Sequence, residues 1–477
     1  MHINWPFTSH MVLQRNQTIH FSGCSNNNYV KIQVDEDIYE TNVVNNKWSI
    51  DLYFDEVGGP FSIRVMDEEE TVVLDDLYVG DVFLAGGQSN MEFKVKEGLP
   101  SAFECKGKVR YLHVPRYVYE KEGKLYPKEE RKNWQVLDDQ SYLELSAVAY
   151  YFCQHLPSDI PIGIIDLNKG GTSASCWLSE DVLKSDPVLK RTYIDGYYED
   201  VHTTLEEQYQ ATCNYNQKLN TYLSMFNNFK QQHPEMTVAQ MKDQVGHTPW
   251  PPAKGHFDFR RPSGLYEYML KSVFNYPISA VLWYQGEEDS LRPKHYKRLM
   301  VAMIACWRRA YGREVPFFIL QLPEYDGMNI WHFGSIRIIQ WQLAQDVKDV
   351  YLVPLLGCGE KDNVHPVDKR IAGYRLAESV KHDYYHMSGS IRPKLVSHAY
   401  DGHTLTITFD QPLKETTLQV NARTSKGMMK VSLKARNEQL ICTVDDLVSI
   451  TYGDEDYFTD YIVGINDIPI SPFTITI

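Results

Sequence analysis

Six short runs of apolar residues lie in the central part of the chain and alternate with segments of helical periodicity. The runs are residues 82–85, 109–113, 162–167, 280–284, 316–320 and 350–355. Continuous apolar runs of this length are typical of strands that are covered on both faces of a parallel sheet. Apolar residues recur at helical spacing between them, at residues 145–156 and 299–307. The pattern predicts an α/β domain with a parallel sheet over about residues 78–390.

The two ends of the chain alternate between apolar and polar residues with the period of a β-strand. Clear examples are residues 18–21, 29–34, 61–65 and 404–409. We therefore expect small β-rich domains at residues 1–77 and 391–477. A polar, helical stretch at about residues 201–245 interrupts the central alternation, and we interpret it as an insertion that forms a lid or wall.

Charge and cysteine usage exclude several classes of protein. The chain has 48 basic and 62 acidic side chains, a net charge of −14, which argues against nucleic acid and anionic membranes as partners. No apolar run reaches the roughly 18 residues of a membrane helix, and the first residues do not resemble a leader, so we expect a cytoplasmic protein. The 8 cysteines lie far apart without a C-x-x-C pair, which favours free thiols over a zinc site. We expect neither a metal nor another cofactor.

Four loops that follow predicted strands carry residues suited to ester hydrolysis. The loops are residues 86–91 (GGQSNM), 168–172 (NKGGT), 285–289 (QGEED) and 362–366 (DNVHP). Ligands of open parallel sheets bind beyond the carboxyl ends of the strands, so these loops are expected to meet at one edge.

The residue types in these loops suggest individual roles. Ser89 is the candidate nucleophile, His365 its base, and Asp362, three residues earlier, the acceptor that orients the ring. The backbone N–H groups of Ser89 and Gly171 and the side-chain amide of Gln285 are candidate oxyanion donors. A serine after glycines is alone most often a turn residue, and D-x-x-H is commonly a helix cap. The coincidence of four such loops in one domain favours a hydrolase, although no G-x-S-x-G elbow is present.

At these loops the chain resembles the sialate O-acetylesterase family of SGNH/GDSL-type carbohydrate acetylesterases. The blocks that carry the resemblance are residues 11–15 (MVLQR), 80–92, 170–177, 261–266 (RPSGLY), 283–287 (WYQGE) and 362–377. The resemblance implies a flavodoxin-like, three-layer α/β/α hydrolase core, no metal, and the same roles for the five positions just described. The chain departs from many relatives at residues 288–289, where Glu-Asp stands in place of Ser-Asn or Ser-Asp.

The resemblance predicts an esterase that removes O-acetyl groups from sialic acid through an acyl-serine intermediate, with the 9-O-acetyl group as the expected target. The alternative substrate is acetylated xylan or another acetylated carbohydrate. The alternative from another class is a non-catalytic carbohydrate-binding protein. In each case the partner is a sugar, and the oligomeric state stays open.

Two arginines and a tryptophan are candidate substrate-binding residues. The segment at residues 247–262 is rich in proline and aromatic side chains and contains Trp250, Arg260 and Arg261. Sialic acid carries a carboxylate, and arginine offers planar bidentate donors to such a group. We expect Arg260 or Arg261 to bind this carboxylate and Trp250 to pack on the sugar. The alternative is that both arginines pair with acidic residues of the same domain.

Overall fold

The computed structural model describes residues 1–236, 238–327, 330–389 and 391–477, and the chain divides into two compact units. The first unit contains Met1–Pro115, Glu130–Ala174 and Leu270–Ile477, and the second contains Arg116–Glu129 and Ser175–Met269. The domain boundary expected at residue 390 and one position of the expected insertion, Thr237, lie outside the described residues. The three-domain division therefore stays a prediction.

The strands are numbered here in chain order. They are β1 (His2–Ile3), β2 (Val12–Gln14), β3 (Thr18–Cys24), β4 (Tyr29–Val34), β5 (Asp37–Asn42), β6 (Lys47–Tyr53), β7 (Gly58–Met66), β8 (Thr71–Gly87), β9 (Val109–His113), β10 (Tyr119–Lys121), β11 (Lys124–Tyr126), β12 (Gln135–Val136), β13 (Ile162–Asn168), β14 (Ala280–Tyr284), β15 (Phe317–Leu320), β16 (Val350–Val353), β17 (Leu395–Tyr400), β18 (Thr404–Phe409), β19 (Thr416–Thr424), β20 (Gly427–Arg436), β21 (Gln439–Thr443), β22 (Leu447–Tyr452) and β23 (Phe473–Thr476).

The α-helices are numbered in the same way. They are α1 (Ser89–Glu92), α2 (Ala147–Gln154), α3 (Glu180–Ser185), α4 (Pro187–Leu189), α5 (Gly196–Tyr198), α6 (Leu205–Gln232), α7 (Val238–Val245), α8 (Gly264–Tyr268), α9 (Pro293–Tyr311), α10 (Phe333–Asp346) and α11 (Arg370–Asp383). Short 3₁₀ turns lie at Val95–Glu97, Ser141–Glu144, Ala174–Trp177, Leu270–Val273 and Glu288–Leu291, and a π-helical turn at Lys190–Asp195.

A parallel sheet forms the centre of the first unit. Its strands run in the order β9, β13, β8, β14, β15 and β16, with β12 antiparallel at the β9 edge. Each of the six apolar runs overlaps one of these strands, which confirms the α/β fold expected from the sequence. In a flavodoxin-like sheet the first strand lies between the second and the third. Five strands follow this order here: β8, the first of them, lies between β13 and β14, and β15 and β16 come next. Strand β9 is an additional parallel strand at the β13 edge.

Strand β8 is shared between the group of N-terminal strands and the central parallel sheet. Its first half pairs antiparallel with β7, and its second half is parallel to β13 and β14. Its exposure changes accordingly, from alternating residues to a fully buried run. The boundary expected between residues 77 and 78 thus lies inside one continuous strand.

A buried ion pair explains the sequence block at residues 11–15. Strand β2 pairs in parallel with β8. Arg15 is the residue after β2 and therefore lies close to Asp81 in β8. The Arg15 Nε and Nη2 groups donate to the Asp81 carboxylate at 3.0 and 2.8 Å, and the Asp81 side chain has no exposed surface. The hydroxyls of Ser279 and Tyr385 also donate to it. This block therefore has a structural role.

Replacing Arg15 with methionine is expected to destabilise the fold. The change leaves Asp81 buried without its charge partner, so the free energy of unfolding should fall by about 3 kcal/mol. Arg64 is an exposed arginine on β7, and its replacement by methionine should cost less than about 0.5 kcal/mol. Urea denaturation of the two variants measures the difference. Equal losses would contradict the structural role of the pair.

The C-terminal residues form an antiparallel sheet. Its described strands run in the order β17, β18, β21, β20, β19, β22 and β23, and alternate side chains form one buried cluster. The buried guanidinium of Arg337 in α10 donates to the Pro323 carbonyl at 2.8 Å and to carbonyls of Glu455 and Asp456. Strands therefore form the C-terminal part of the first unit, as its alternating pattern indicates.

The second unit is mainly helical. The long helix α6 begins with a capping box in which the Thr204 hydroxyl accepts the Glu207 N–H and the Glu207 carboxylate accepts the Thr204 N–H. Helices α6 and α7 occupy most of residues 201–245, the stretch expected to be an insertion. The hairpin β10–β11 packs through Tyr119 against the rings of Tyr209 and Phe257.

Among the helices of the described residues, none combines the length and the apolar character needed to cross a membrane.

Candidate active site

Ser89 lies in a tight turn at the carboxyl end of the central strand β8 and begins helix α1. Gly87 precedes it with φ of +137°, and a Cβ there would lie 2.1 Å from the Tyr284 carbonyl oxygen. Only glycine fits this position. The Gln88 N–H then donates to the same carbonyl at 3.0 Å. The turn leaves Ser89 half-buried, at the edge where the parallel strands end.

His365 contacts Ser89 directly. Its Nε2 lies 2.8 Å from the Ser89 Oγ, and its ring is also half-buried. The loop is fixed by Asn363, whose Oδ1 accepts the His365 N–H at 3.1 Å and whose Nδ2 donates to the His365 carbonyl at 2.8 Å. The geometry suits a base that takes the hydroxyl proton.

Asp362 does not reach His365. Its side chain is exposed, and the hydrogen bonds of the described residues include none between these two side chains. The reason is a turn: Glu360 and Asn363 form a bridge, and the Glu360 carboxylate accepts the Asn363 Nδ2 and the Val367 N–H. This turn places Asp362 at its tip. The expected orienting contact is therefore not formed, and Asn363, which the sequence analysis did not select, braces the loop.

The glycine loop lies against the serine. A Cβ added to Gly170 would be 3.2 Å from the Ser89 Cβ and 2.9 Å from the Glu92 carboxylate. The Gly170 N–H donates to that carboxylate, which belongs to the same helical turn as Ser89. Gly171 follows with φ of +69°, in the left-handed region. The structure thus brings Gly171 and Ser89, two of the expected oxyanion donors, into neighbouring turns.

Gln285 has a different environment from the one expected. It is fully buried, and its Nε2 donates to the Thr172 carbonyl at 3.2 Å and to the Asp289 carboxylate at 2.7 Å. Both amide protons of Gln285 are thus used in hydrogen bonds within the protein. A buried donor without a partner would cost free energy of folding. Asp289 also accepts from the Ser173 hydroxyl and the Ala174 N–H. Gln285 therefore braces the glycine loop and offers no free oxyanion donor.

A buried polar cluster beside the Ser89–His365 pair was not assigned a role from the sequence. It consists of Asn90, Glu287 and Lys369, all fully or almost fully buried. The three lie within the recognised sequence blocks, next to Ser89, two residues after Gln285 and four residues after His365. Their position in those blocks was the only available signal, because lysine and glutamate are normally surface residues.

Burial shifts the pKa values of both charged groups in this cluster. Desolvation lowers the pKa of Lys369 to about 8, although the nearby Glu287 carboxylate partly opposes it. Desolvation also raises the pKa of Glu287 above its usual range. Both changes follow from the cost of placing a charge in a medium of low polarity.

Comparison with known proteins gives matches of three kinds. Residues 235–382 match a family model described as a carbohydrate esterase, sialic acid-specific acetylesterase. The chain is 24% identical to a rat sialate O-acetylesterase over an alignment of 452 residues. This alignment covers 87% of this chain and 71% of the rat protein. The human sialate O-acetylesterase is 23% identical over 358 residues, 67% of this chain and 57% of that protein. A crystal structure of a carbohydrate acetylesterase from Xanthomonas citri superposes with a TM-score of 0.74 at 19% identity and 99% coverage of both chains.

These matches define the class of protein: the chain is a carboxylic ester hydrolase. The crystal structure, at its low identity, shows a shared fold. Within the class, the family model and the curated relatives confirm the resemblance to the sialate O-acetylesterase family.

Proposed function

We propose that this hydrolase is a serine O-acetylesterase that acts on an acetylated sugar, with Ser89 as nucleophile and His365 as general base and acid. The observation that carries the proposal is the 2.8 Å contact between Ser89 Oγ and His365 Nε2 at the carboxyl edge of a parallel sheet. We also infer that the core is the three-layer α/β/α type. Its support is that α2 packs on α11 and α9 on α10, while α10 and α11 both contact β16.

The reaction follows from this geometry in two stages. The Ser89 oxygen attacks the acetyl carbonyl carbon while its proton passes to His365 Nε2. The tetrahedral intermediate collapses, the bond to the sugar oxygen breaks, and that oxygen takes the proton from His365. Water then attacks the acyl-serine carbonyl and gives a proton to His365. The bond to Ser89 Oγ breaks, that oxygen takes the proton back from His365, and the acetic acid released ionises to acetate. The Ser89 and Gly171 N–H groups are the proposed donors to the oxyanion.

The substrate proposal rests on Arg261 more than on Arg260. The Arg260 guanidinium donates to the Asp258 carboxylate at 3.0 Å and to the Pro252 carbonyl at 3.0 Å, and it lies over the ring of Trp250. This arrangement corresponds to the alternative in which the arginine pairs with an acid of its own unit. Arg261 is 8% exposed, and its Nε has no hydrogen-bond partner among the described residues. We propose that a sialic acid carboxylate supplies an acceptor to Arg261.

Trp250 is the candidate for apolar contact with the sugar. Its side chain is 54% exposed, which is unusual for a residue of this size. Its ring lies 5.0 Å from the Arg260 guanidinium carbon, so that Arg260 positions the tryptophan. We therefore keep Trp250 as a proposed packing surface and reassign Arg260 from carboxylate binding to support.

Acetate release from three substrates tests the proposed function. 9-O-acetylated sialic acid should be the best, acetylated xylan should be at least tenfold poorer in kcat/KM, and 4-nitrophenyl acetate should report the basic esterase chemistry. A preference for acetylated xylan would favour the alternative substrate. Absence of release from all three would favour a carbohydrate-binding protein.

Replacing Arg261 with methionine is expected to affect only the charged substrate. Loss of a charge-assisted hydrogen bond should cost about 1.5–3 kcal/mol in kcat/KM for acetylated sialic acid, with 4-nitrophenyl acetate almost unchanged. Arg260→Met is the matched control, and it should instead lower the melting temperature, because it leaves the buried Asp258 without its partner. Equal losses on both substrates for Arg261→Met would show that this arginine is also structural.

A further inference from the structure

We propose that Asn90, Glu287 and Lys369, here called the Asn90 cluster, are positioning residues that set the contact between Ser89 and His365. The proposal rests on the function proposed above, because it assumes that these two residues carry out the chemistry. It assigns a role to three residues that make no contact with the serine hydroxyl.

The amide of Asn90 links three separate segments of the chain. Its Nδ2 donates to Glu287 Oε1 at 2.6 Å and to the Val364 carbonyl at 3.0 Å. Its Oδ1 accepts from Lys369 Nζ at 2.5 Å. These bonds join α1, the loop after β14 and the loop that leads into α11. One buried side chain thus ties three of the four loops that the sequence pattern selected.

The linked segments are the ones that hold the reacting pair. Asn90 follows Ser89 directly in α1, and Val364 immediately precedes His365. Lys369 caps the start of α11, four residues after His365. A shift of this amide would therefore move the serine and the histidine relative to each other. Displacements of about 1 Å can cost 10²-fold in rate when the reacting groups are otherwise intact.

Stability alone does not account for the charges of the cluster. Lys369 is 2% exposed, its Nζ bonds to an amide oxygen rather than to a carboxylate, and it lies 5.1 Å from the centre of the Phe93 ring. The second oxygen of Glu287, Oε2, is buried with no hydrogen-bond partner among the described residues. Burying two opposite charges generally costs as much free energy in desolvation as their attraction returns. Apolar side chains of similar size would pack as well. A role in orienting Asn90 explains why both charges are present.

The ionisation of Lys369 gives the proposal a measurable signature. The groups that act on its charge are Glu287, Cys358, Glu360 and Asp368, and Asp289 in turn acts on Glu287. With a pKa of about 8, Lys369 is charged at neutral pH and loses its proton as the pH rises above 8. Deprotonation leaves the Glu287 carboxylate without its cation. The kcat should therefore fall on the alkaline side with an apparent pKa near 8.

Three variants of the full chain test the role of the cluster. Lys369→Met removes the cation, and Glu287→Gln keeps an oxygen that can accept from Asn90 while it removes the anion. Arg370→Met is the matched control, because Arg370 is the exposed neighbour of Lys369 and its guanidinium pairs with Asp368. Each variant is characterised by kcat and KM on 4-nitrophenyl acetate, by melting temperature, and by the rate at which a fluorophosphonate labels Ser89.

We expect Lys369→Met to lower kcat and the labelling rate together by about 30–300-fold, with KM changed less than about twofold. Glu287→Gln should lower kcat and the labelling rate by about 5–20-fold. It should also move the alkaline limb of the pH profile of kcat to lower pH, because the Glu287 anion raises the pKa of Lys369 and the variant lacks it. The limb should be absent in Lys369→Met and unchanged in Arg370→Met. Should Lys369→Met not fold, the shifted limb of Glu287→Gln still decides the question.

Two results would overturn the proposal. One is a Lys369→Met or Glu287→Gln protein with a lower melting temperature but wild-type kcat and labelling rate per folded molecule. The other is an alkaline limb that is identical in all variants. Failure of the proposed function would look different, because the wild-type protein would then not be labelled at Ser89 at all.

Discussion

A Ser89→Ala protein is expected to keep its fold and to lose about 10⁴-fold or more in kcat. The side chain is half-buried and its hydroxyl contacts His365, so the loss of one oxygen atom creates no large cavity. The activity that remains should come from binding and from the oxyanion donors, which are backbone groups. Hydrolysis of 4-nitrophenyl acetate, followed together with the melting temperature, measures both effects.

Covalent labelling identifies the nucleophile independently of the rate. A fluorophosphonate should add one group to the wild-type protein, and peptide mapping should place it on Ser89. Ser158 is exposed in the same unit, and Ser158→Ala should be labelled and active like the wild type. Labelling of another residue, together with an active Ser89→Ala protein, would refute the assignment.

The fold was predictable where local patterns carry the information. Continuous apolar runs located all six parallel strands, because a strand covered on both faces has no polar side to alternate with. Periodicity did not indicate the order of the strands, because the order depends on which buried strands pair, and periodicity is the same for any order. Strand β8 shows this limit clearly. Its pattern changes along its length because its surroundings change, and the boundary predicted from that change falls within one continuous strand.

The site was predictable at the level of loops and less so at the level of side chains. Ser89 and His365 meet because both of their loops follow strands that end at the same edge of one parallel sheet. Gln285 was selected for its amide, but the packing of the glycine loop uses both of its protons. Lys369 was not given a role, since a lysine reads as a surface residue until its burial is known. Residue type indicates which contacts a side chain can make, whereas its neighbours in the fold determine which of them it does make.

The second large effect is expected for His365, and it should contrast with a small effect for Asp362. His365→Ala should lower kcat/KM by about 10³–10⁴-fold, because no other base lies within hydrogen-bond distance of the Ser89 hydroxyl in the described contacts. In the wild-type protein kcat/KM should fall as the pH is lowered, since a histidine that already carries a proton cannot take one from Ser89.

Asp362→Asn distinguishes a serine–histidine pair from a full triad. An aspartate that orients the histidine would cost about 10⁴-fold when replaced by asparagine. Because Asp362 is exposed at the tip of the turn, we expect a loss below about fivefold and an unchanged acid limb. Asn363→Ala, which removes the side chain that braces the His365 backbone, should cost more than Asp362→Asn. A loss of several hundredfold for Asp362→Asn would mean that the loop rearranges when substrate binds and brings the carboxylate to His365, as the sequence pattern predicts.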